Sequence, residues 1–187
     1  MKFTEKRTVE NRMVLANDHY VAVPYDCTDL TALATEGVLA AGLVVPANDA
    51  TAIGVLLNDV DLAENPNGAL VVHGFINGDK LPVAPSAEAV VALAGKGVYL
   101  LNRNGVPLNQ KFTVVYDANG GSGTVTDSNS PYLYGAEVTV LGGTGLTGPD
   151  SKTFAGWALT PEAVEKVYEE NDKFQIEQNM TLYAVWA

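Results

Sequence analysis

The sequence predicts a mainly β protein of the α+β class, built as two small domains, and three observations support this. Most apolar residues fall in runs of four to eight, rich in Val, Ile and Leu and bounded by Gly, Asn, Asp and Pro, which is strand patterning. One stretch alone carries helix signals at both ends. After residue 109 the composition shifts toward Thr, Gly and aromatic residues, and both tryptophans lie beyond that point. With 187 residues, 47% of them hydrophobic and 18% charged, the chain has the composition of folded domains.

Residues 1–16 carry Lys2, Lys6, Arg7 and Arg12 against Glu5 and Glu10, a locally basic end on a protein of net charge −11. Such an end reads as a flexible arm or a docking segment. No apolar stretch follows these charges, so the N-terminus is not a secretory signal, and no run approaches the ~20 residues of a membrane span. The expectation is synthesis and retention in the cytosol unless another route carries the protein out. Acidic residues number 22 against 11 basic ones, which argues against a general nucleic-acid binder.

Strands are expected at Tyr20 to Pro24, Val38 to Val45, Ala52 to Leu57, Ala69 to Ile76 and Val98 to Leu101, with tight turns at Asn67-Gly68 and Asn77-Gly78. Ser86 to Leu93 reads as a helix. Ser86 is its N-cap, Glu88 sits in the first turn where the dipole favours an acid, and Gly95 follows as the stop. Its Ala- and Val-rich composition predicts burial on more than one face. Asn102 to Gln110 is polar and turn-rich, and it separates a domain at 17–105 from one at 111–187, with 106–110 as linker.

In the second domain Phe112, Val114 and Tyr116 alternate with Thr113, Val115 and Asp117, and Asn119-Gly120-Gly121 turns the chain. Glu137 to Leu141 and Thr181 to Trp186 read as further strands. Thr160-Pro161 followed by Glu162 to Glu170 has the N-cap and first-turn proline of a short helix.

Residues able to do chemistry are few. The two histidines, His19 and His73, have no partner at i+4, and Gly121-Ser122-Gly123 lacks the spacing of a nucleophile elbow. His73 lies mid-strand and reads as a hydrogen-bonded structural residue. The run from Asp117 begins like a calcium loop, but its fifth position is Gly121 and its twelfth is Ser128, so the ligand pattern fails. Gly142 to Gly148 could cradle an anion with backbone amides, yet no Lys-Ser/Thr follows it and it reads as a plain loop. Asp59 and Asp61 could be paired carboxylates, as a polysaccharide-cleaving enzyme needs at about 5 to 9.5 Å. Strand alternation makes them solvated turn acids instead. Trp157 and Trp186 offer either a sugar-stacking platform or the core of a small domain, and the core is the preferred reading. Cys27, the single cysteine, permits no intrachain disulfide and reads as a small buried hydrophobe. No cofactor, metal site or catalytic constellation emerges, and a non-enzymatic binding or structural protein is expected.

Four ordered blocks then resemble a known family: Val115-Tyr116-Asp117-Ala118-Asn119-Gly120-Gly121, Gly135 to Val140, Phe154-Ala155-Gly156-Trp157, and Asn179 to Trp186. They resemble the Listeria-Bacteroides repeat, the β-grasp-like module first described as the B-repeat of internalin. That resemblance implies a display or adhesion domain with a core of Tyr116, Phe154, Trp157, Tyr183 and Trp186, and a host-surface glycan or protein as its ligand. The insert 161–170 departs from the Gly/Ser-rich loop usual there.

Residues 38–101 resemble a second family on Gly42-Leu43-Val44, the run Ala52 to Asp61, the run Ala69 to Asn77, and Lys80-Leu81. They are similar to head decoration proteins of lambda-type tailed phages and to related head-fibre bases. The resemblance implies a small mixed β domain with one helix that binds the outer capsid lattice as a homotrimer. It also implies an arm that touches the major capsid protein, here Lys2, Phe3, Lys6, Arg7 and Arg12. A virion component needs no signal peptide, so the two resemblances together imply a capsid decoration protein displaying an adhesion module. A fragment of a bacterial cell-surface repeat protein is the alternative.

Overall fold

The computed structural model describes residues 14–187. The five residues expected to contact a capsid, Lys2, Phe3, Lys6, Arg7 and Arg12, lie outside the described residues. The chain divides into two compact units, the second starting at Gln110.

In the first unit, β1 (Leu15–Asp26), β2 (Val38–Leu39), β3 (Val44–Val45), β4 (Gly54–Leu56), β5 (Val60–Asp61) and β6 (Asn67–Asn77) precede α1 (Ala87–Ala94) and β7 (Val98–Leu101). β6 is central. It pairs antiparallel with β1 on one side, and on the other with β4 and then, in parallel, with β7, while β3 extends the sheet beyond β4. β2 and β5 form a separate two-stranded ladder.

The apolar runs do not alternate because both faces of this sheet are buried where β3, β4 and β6 meet. Val44, Val55 and Val71 join one cluster, with Ala89, Val90 and Leu93 of α1, and their neighbours Val45, Leu56 and Leu70 join another, with Cys27, Leu39 and Val60. A bulge then changes the pattern. Val21 faces His73 while Ala22 faces Val71, which leaves Val72 as an extra residue in β6. The extra residue reverses the alternation, so Val71 and Ile76, five apart, share one cluster.

The helix forms as its end signals predict. The Ser86 Oγ accepts from the Ala89 N–H at 3.0 Å, Glu88 stands in the first turn, and Ala89, Val90 and Leu93 are buried. Burial of α1 is confined to one face, with Val91 52% exposed, against the burial on more than one face expected from its composition, and three further details differ. Val14, assigned to the arm, is fully buried, and the first strand begins at Leu15. Val38 to Val45 is two short strands in separate sheets rather than one. Asn67-Gly68 opens β6 opposite Asp26 and Tyr25 instead of forming a turn, because the long partner strand β1 captures it in the ladder.

The second unit has seven short strands: β8 (Lys111–Phe112), β9 (Val114–Asp117), β10 (Tyr132–Leu133), β11 (Glu137–Thr139), β12 (Phe154–Ala158), β13 (Lys173–Gln175) and β14 (Met180–Trp186). β14 is the middle of a three-stranded sheet, antiparallel to β12 and parallel to β9, while β8 pairs with β10 and β11 with β13. The alternation read in Val114 to Asp117 holds, with Val114 and Tyr116 inward and Val115 and Asp117 exposed.

The helix expected over Glu162 to Glu170 is absent. This stretch is a chain of turns and bends, with Val164 88% exposed and Val167 54% exposed. Tertiary pairing takes its place: the Trp157 N–H donates to the Tyr168 carbonyl at 2.8 Å, and the Val167 and Tyr168 N–H groups donate to the Trp157 carbonyl.

Candidate binding surfaces

The acidic residues and the cysteine weighed for chemistry are held by local and packing contacts. The Asp59 Oδ1 accepts from the Ala41 N–H at 2.7 Å, and the Asp61 Oδ1 accepts from the Ala63 N–H at 2.9 Å, so Asp59 ties its turn to the distant segment at Ala41 while Asp61 serves its own turn. The Asp117 Oδ1 accepts from the Asn119 N–H, and Asn119 and Gly120 both adopt positive φ, 45° and 83°, closing the turn that mimics a calcium loop. Among the described residues, no group of three or more His, Cys, Asp or Glu side chains is placed to hold a metal ion. The Cys27 thiol is fully buried, which pushes its pKa up, and its Sγ donates to the Tyr25 carbonyl.

In the first unit, the structure exposes the strand that starts the fold. β1 is twelve residues long and, among the described residues, lies at the edge of the sheet, with Tyr20, Val21 and Val23 exposed at 41%, 51% and 38%. An edge strand offers unpaired backbone groups to any chain beside it, and apolar side chains there make an association surface. A groove of about 480 Å³ runs beside Ala22, Val23 and Pro24 and reaches Asn58 and Asn67.

Next to this edge, β1 swells outward: Leu15 faces Ile76 and Tyr20 faces Gly74, so residues 16–19 have no opposing partners in β6. The swelling carries His19 over the sheet. Its ring lies 5.6 Å from His73 and 6.5 Å from Phe75, and Phe75 stacks on Tyr99 at 5.7 Å, a row of four rings across three strands. Gly74 is required beneath it, since at φ 133° its missing Cβ would stand 2.6 Å from the His19 carbonyl. His73, expected from its mid-strand position to be a hydrogen-bonded structural residue, is exposed and packs its ring against His19. Sequence spacing misses this row because His19 and His73 meet only through the swelling and the bulge.

In the second unit, Trp157 is fully buried and its Nε1 donates to the Leu141 carbonyl at 2.7 Å. Tyr116 and Phe154 stand edge-on to it at 4.8 and 4.9 Å, and the Tyr116 hydroxyl accepts from the Leu141 N–H. Burial raises the Tyr116 pKa, with the Asp127 charge adding to the effect. Asp127 in turn accepts from the Tyr132 hydroxyl at 2.6 Å; burial first, then this bond, pushes Tyr132 up to about 12. Of the five residues expected in the core, Tyr116 and Trp157 belong to the buried cluster, and Phe154 and Trp186 pack against it half-buried. Tyr183 does not. It alternates with Leu182 and Ala184, so it points to the other face of β14, half-buried.

Trp186 has a different environment from Trp157. Its Nε1 donates to the carbonyls of Ala118 and Asn119 at 3.0 and 3.1 Å, and Phe154 stands edge-on at 6.0 Å. With Phe154, Lys152 and Thr147 it lines a cleft of about 410 Å³. The strands β9, β11, β12 and β14 and the turn at Asn119-Gly120 thus carry most of the four blocks that stood out in the sequence.

Residues 112–185 match the Listeria-Bacteroides repeat domain. The match spans nearly all of the second unit and none of the first. No curated protein and no solved structure matches the chain. The buried Trp157, the turn at Asn119-Gly120 and most of β14 lie within the matched residues, and Trp186 of the cleft follows directly after them.

Proposed function

We propose that this protein acts by binding rather than catalysis, as a two-module display protein. Its first unit anchors to an assembly through the β1 edge, and its repeat domain presents a binding surface. The observation that carries this reading is the pairing of an exposed apolar edge strand in one unit with a recognisable repeat domain of surface-protein type in the other. Edge strands this long and apolar are liabilities unless something covers them.

The specific anchor we propose is the outer head lattice of a tailed phage, where the first unit would sit as a trimer on the major capsid protein. Threefold multiplicity would turn a modest contact per subunit into firm attachment, and the capsid would gain stability from the clamp. The resemblance of residues 38–101 to decoration proteins supports this. The protein would be made in host cytoplasm and carried on the virion. The net charge of −11 suits a soluble particle and disfavours general nucleic-acid binding.

The match of residues 112–185 also favours a second reading, a bacterial cell-surface repeat protein whose repeat domain adheres to a neighbouring surface.

One experiment separates the two. Full-length protein is sedimented with phage heads lacking it and, in parallel, native material is fractionated into virions and cell envelopes. Saturable head binding, lost in Val21→Asp, is the expected result. Absence of head binding together with recovery in the envelope fraction would replace the capsid reading with the cell-surface one.

A further inference from the structure

The cleft beside Trp186 has the composition of a ligand site. Its apolar wall is Trp186, Phe154 and Leu146, and its polar wall is Thr147, Ser151, Lys152 and Thr153, all four exposed. The indole is held in place before any ligand arrives. Two carbonyls accept from its Nε1, and the backbones of Gly121 and Gly148 lie so close that a Cβ on either would collide with the ring. Preorganised aromatic surface costs little to use in binding.

The loop carrying the polar wall is strained. Asp150 and Ser151 follow one another in the left-handed region, at φ 51° and 64°, which two successive non-glycine residues rarely adopt. Strain of this kind persists where the surroundings enforce it and concentrates at ligand-binding loops. Charge supplies a further pointer. Lys166 and Lys173 pair with Glu169 and Glu137, whereas Lys152 has no carboxylate within ion-pair distance among the described residues and stands at the cleft.

We infer that this cleft binds one pyranose residue of a surface polysaccharide, and binds an acidic sugar more tightly than its neutral counterpart. A pyranose ring offers an apolar C–H face to Trp186 and Phe154 and equatorial hydroxyls to Thr147, Ser151 and Thr153. A uronate adds a carboxylate for the Lys152 ammonium. The net negative charge of the unit opposes this only weakly, since charges beyond about 8 Å are screened at physiological salt.

The inference rests on the adhesion reading of the repeat domain, and its test separates the two. Full-length ¹⁵N-labelled protein has two indole N–H signals, one from Trp157 and one from Trp186. Methyl glucuronide and methyl glucoside are titrated in turn, and adhesion of the same protein to source bacteria is measured alongside. The expected result is a saturable shift of the Trp186 signal with Trp157 unmoved, and tighter binding of the glucuronide. Lys152→Gln, at an exposed position, should weaken the glucuronide roughly fivefold and the glucoside less than twofold. No shift with either sugar, or equal shifts of both indoles, overturns the site even if the protein adheres to cells. Equal affinities unchanged by Lys152→Gln overturn the acidic preference. A saturable Trp186 shift without cell adhesion upholds the site and sinks the adhesion reading.

Discussion

The two units solve the same problem with different materials. The first buries aliphatic side chains on both faces of a five-stranded sheet and keeps its rings, His19, His73, Phe75 and Tyr99, toward the outside. The second has only two- and three-stranded sheets and gathers its rings inward around Trp157. Short strands bury little apolar area, so large aromatic side chains compensate, with Tyr116, Tyr132, Trp157 and Trp186 hydrogen-bonded through their polar atoms. Leu141 shows this economy: its carbonyl accepts from Trp157 and its N–H donates to Tyr116, fixing two rings on one backbone residue. The lesson is that a small β unit without a helix is stabilised at a few aromatic points, whereas a sheet covered by a helix spreads its stability widely.

The sharpest way to break this comparison is to remove one residue from each core. Both tryptophans lie in the second unit, so tryptophan emission reports that unit alone. Trp157→Ala should cost about 3 to 5 kcal/mol and unfold the second unit. Far-ultraviolet circular dichroism should retain the helix-containing first transition. Leu93→Ala, at a fully buried position of α1, should cost about 2 to 5 kcal/mol and lower the first transition while the tryptophan-detected one stays put. A single shared transition in both variants would show that the units unfold together.

A smaller effect is expected at Gly121, where a Cβ would meet both Trp186 Cζ2 and the Thr147 carbonyl. Gly121→Ala should destabilise the second unit by about 1 to 3 kcal/mol and shift Trp186 emission, a cost of overpacking against backbone that cannot retreat. In the first unit, Ser86→Ala removes the acceptor for the Ala89 N–H and should cost about 1 kcal/mol, read as a lowered midpoint in urea.

The last test sharpens the contrast through pH. Tyr132 has its pKa raised to about 12 from 10.0 by burial and by its bond to Asp127. A raised folded-state value stabilises fully below the unfolded value and is lost as pH rises through the folded one. The second unit should therefore lose stability between pH 10 and about 12, and Tyr132→Phe should flatten that dependence. Denaturant melts of both proteins at pH 9, 10 and 11 check it. An equal alkaline loss in Tyr132→Phe would place the effect elsewhere.

Much of the fold is legible in local signals. Ser86 and Gly95 bound α1, and the run Val98 to Leu101 is a strand to the residue. In the second unit, the alternation of Val114 to Asp117 and the Asn119-Gly120-Gly121 turn are where patterning puts them. The errors share a cause. Asn67-Gly68 carries turn chemistry but lies in a ladder with β1, and Thr160-Pro161 carries helix-start chemistry but leads into a segment pinned to Trp157 by Tyr168. In both, backbone pairing beyond the local stretch, with β1 in one and with Trp157 in the other, outweighs a local preference worth about 1 kcal/mol.

The candidate surfaces were legible only in part. Trp186 is recognisable from its block, but whether its ring is core or cleft depends on Gly121, Gly148 and the loop 147–153 folding around it. The aromatic row on the first unit leaves no sequence signal, since it needs the swelling in β1 and the extra residue in β6 to bring His19 to His73.

Composition and local pattern alone determined the class of the fold, the helix and its caps, the turn at Asn119, and the scarcity of residues able to do chemistry. Each of these depends on neighbours within a few positions. Tertiary structure decided which faces stay exposed, which of the two tryptophans is buried, and that Tyr183 turns away from the ring cluster while His19 and His73 meet. Those outcomes depend on strand register and bulges, where one inserted residue exchanges the two faces of a strand, and register is set by partners far along the chain.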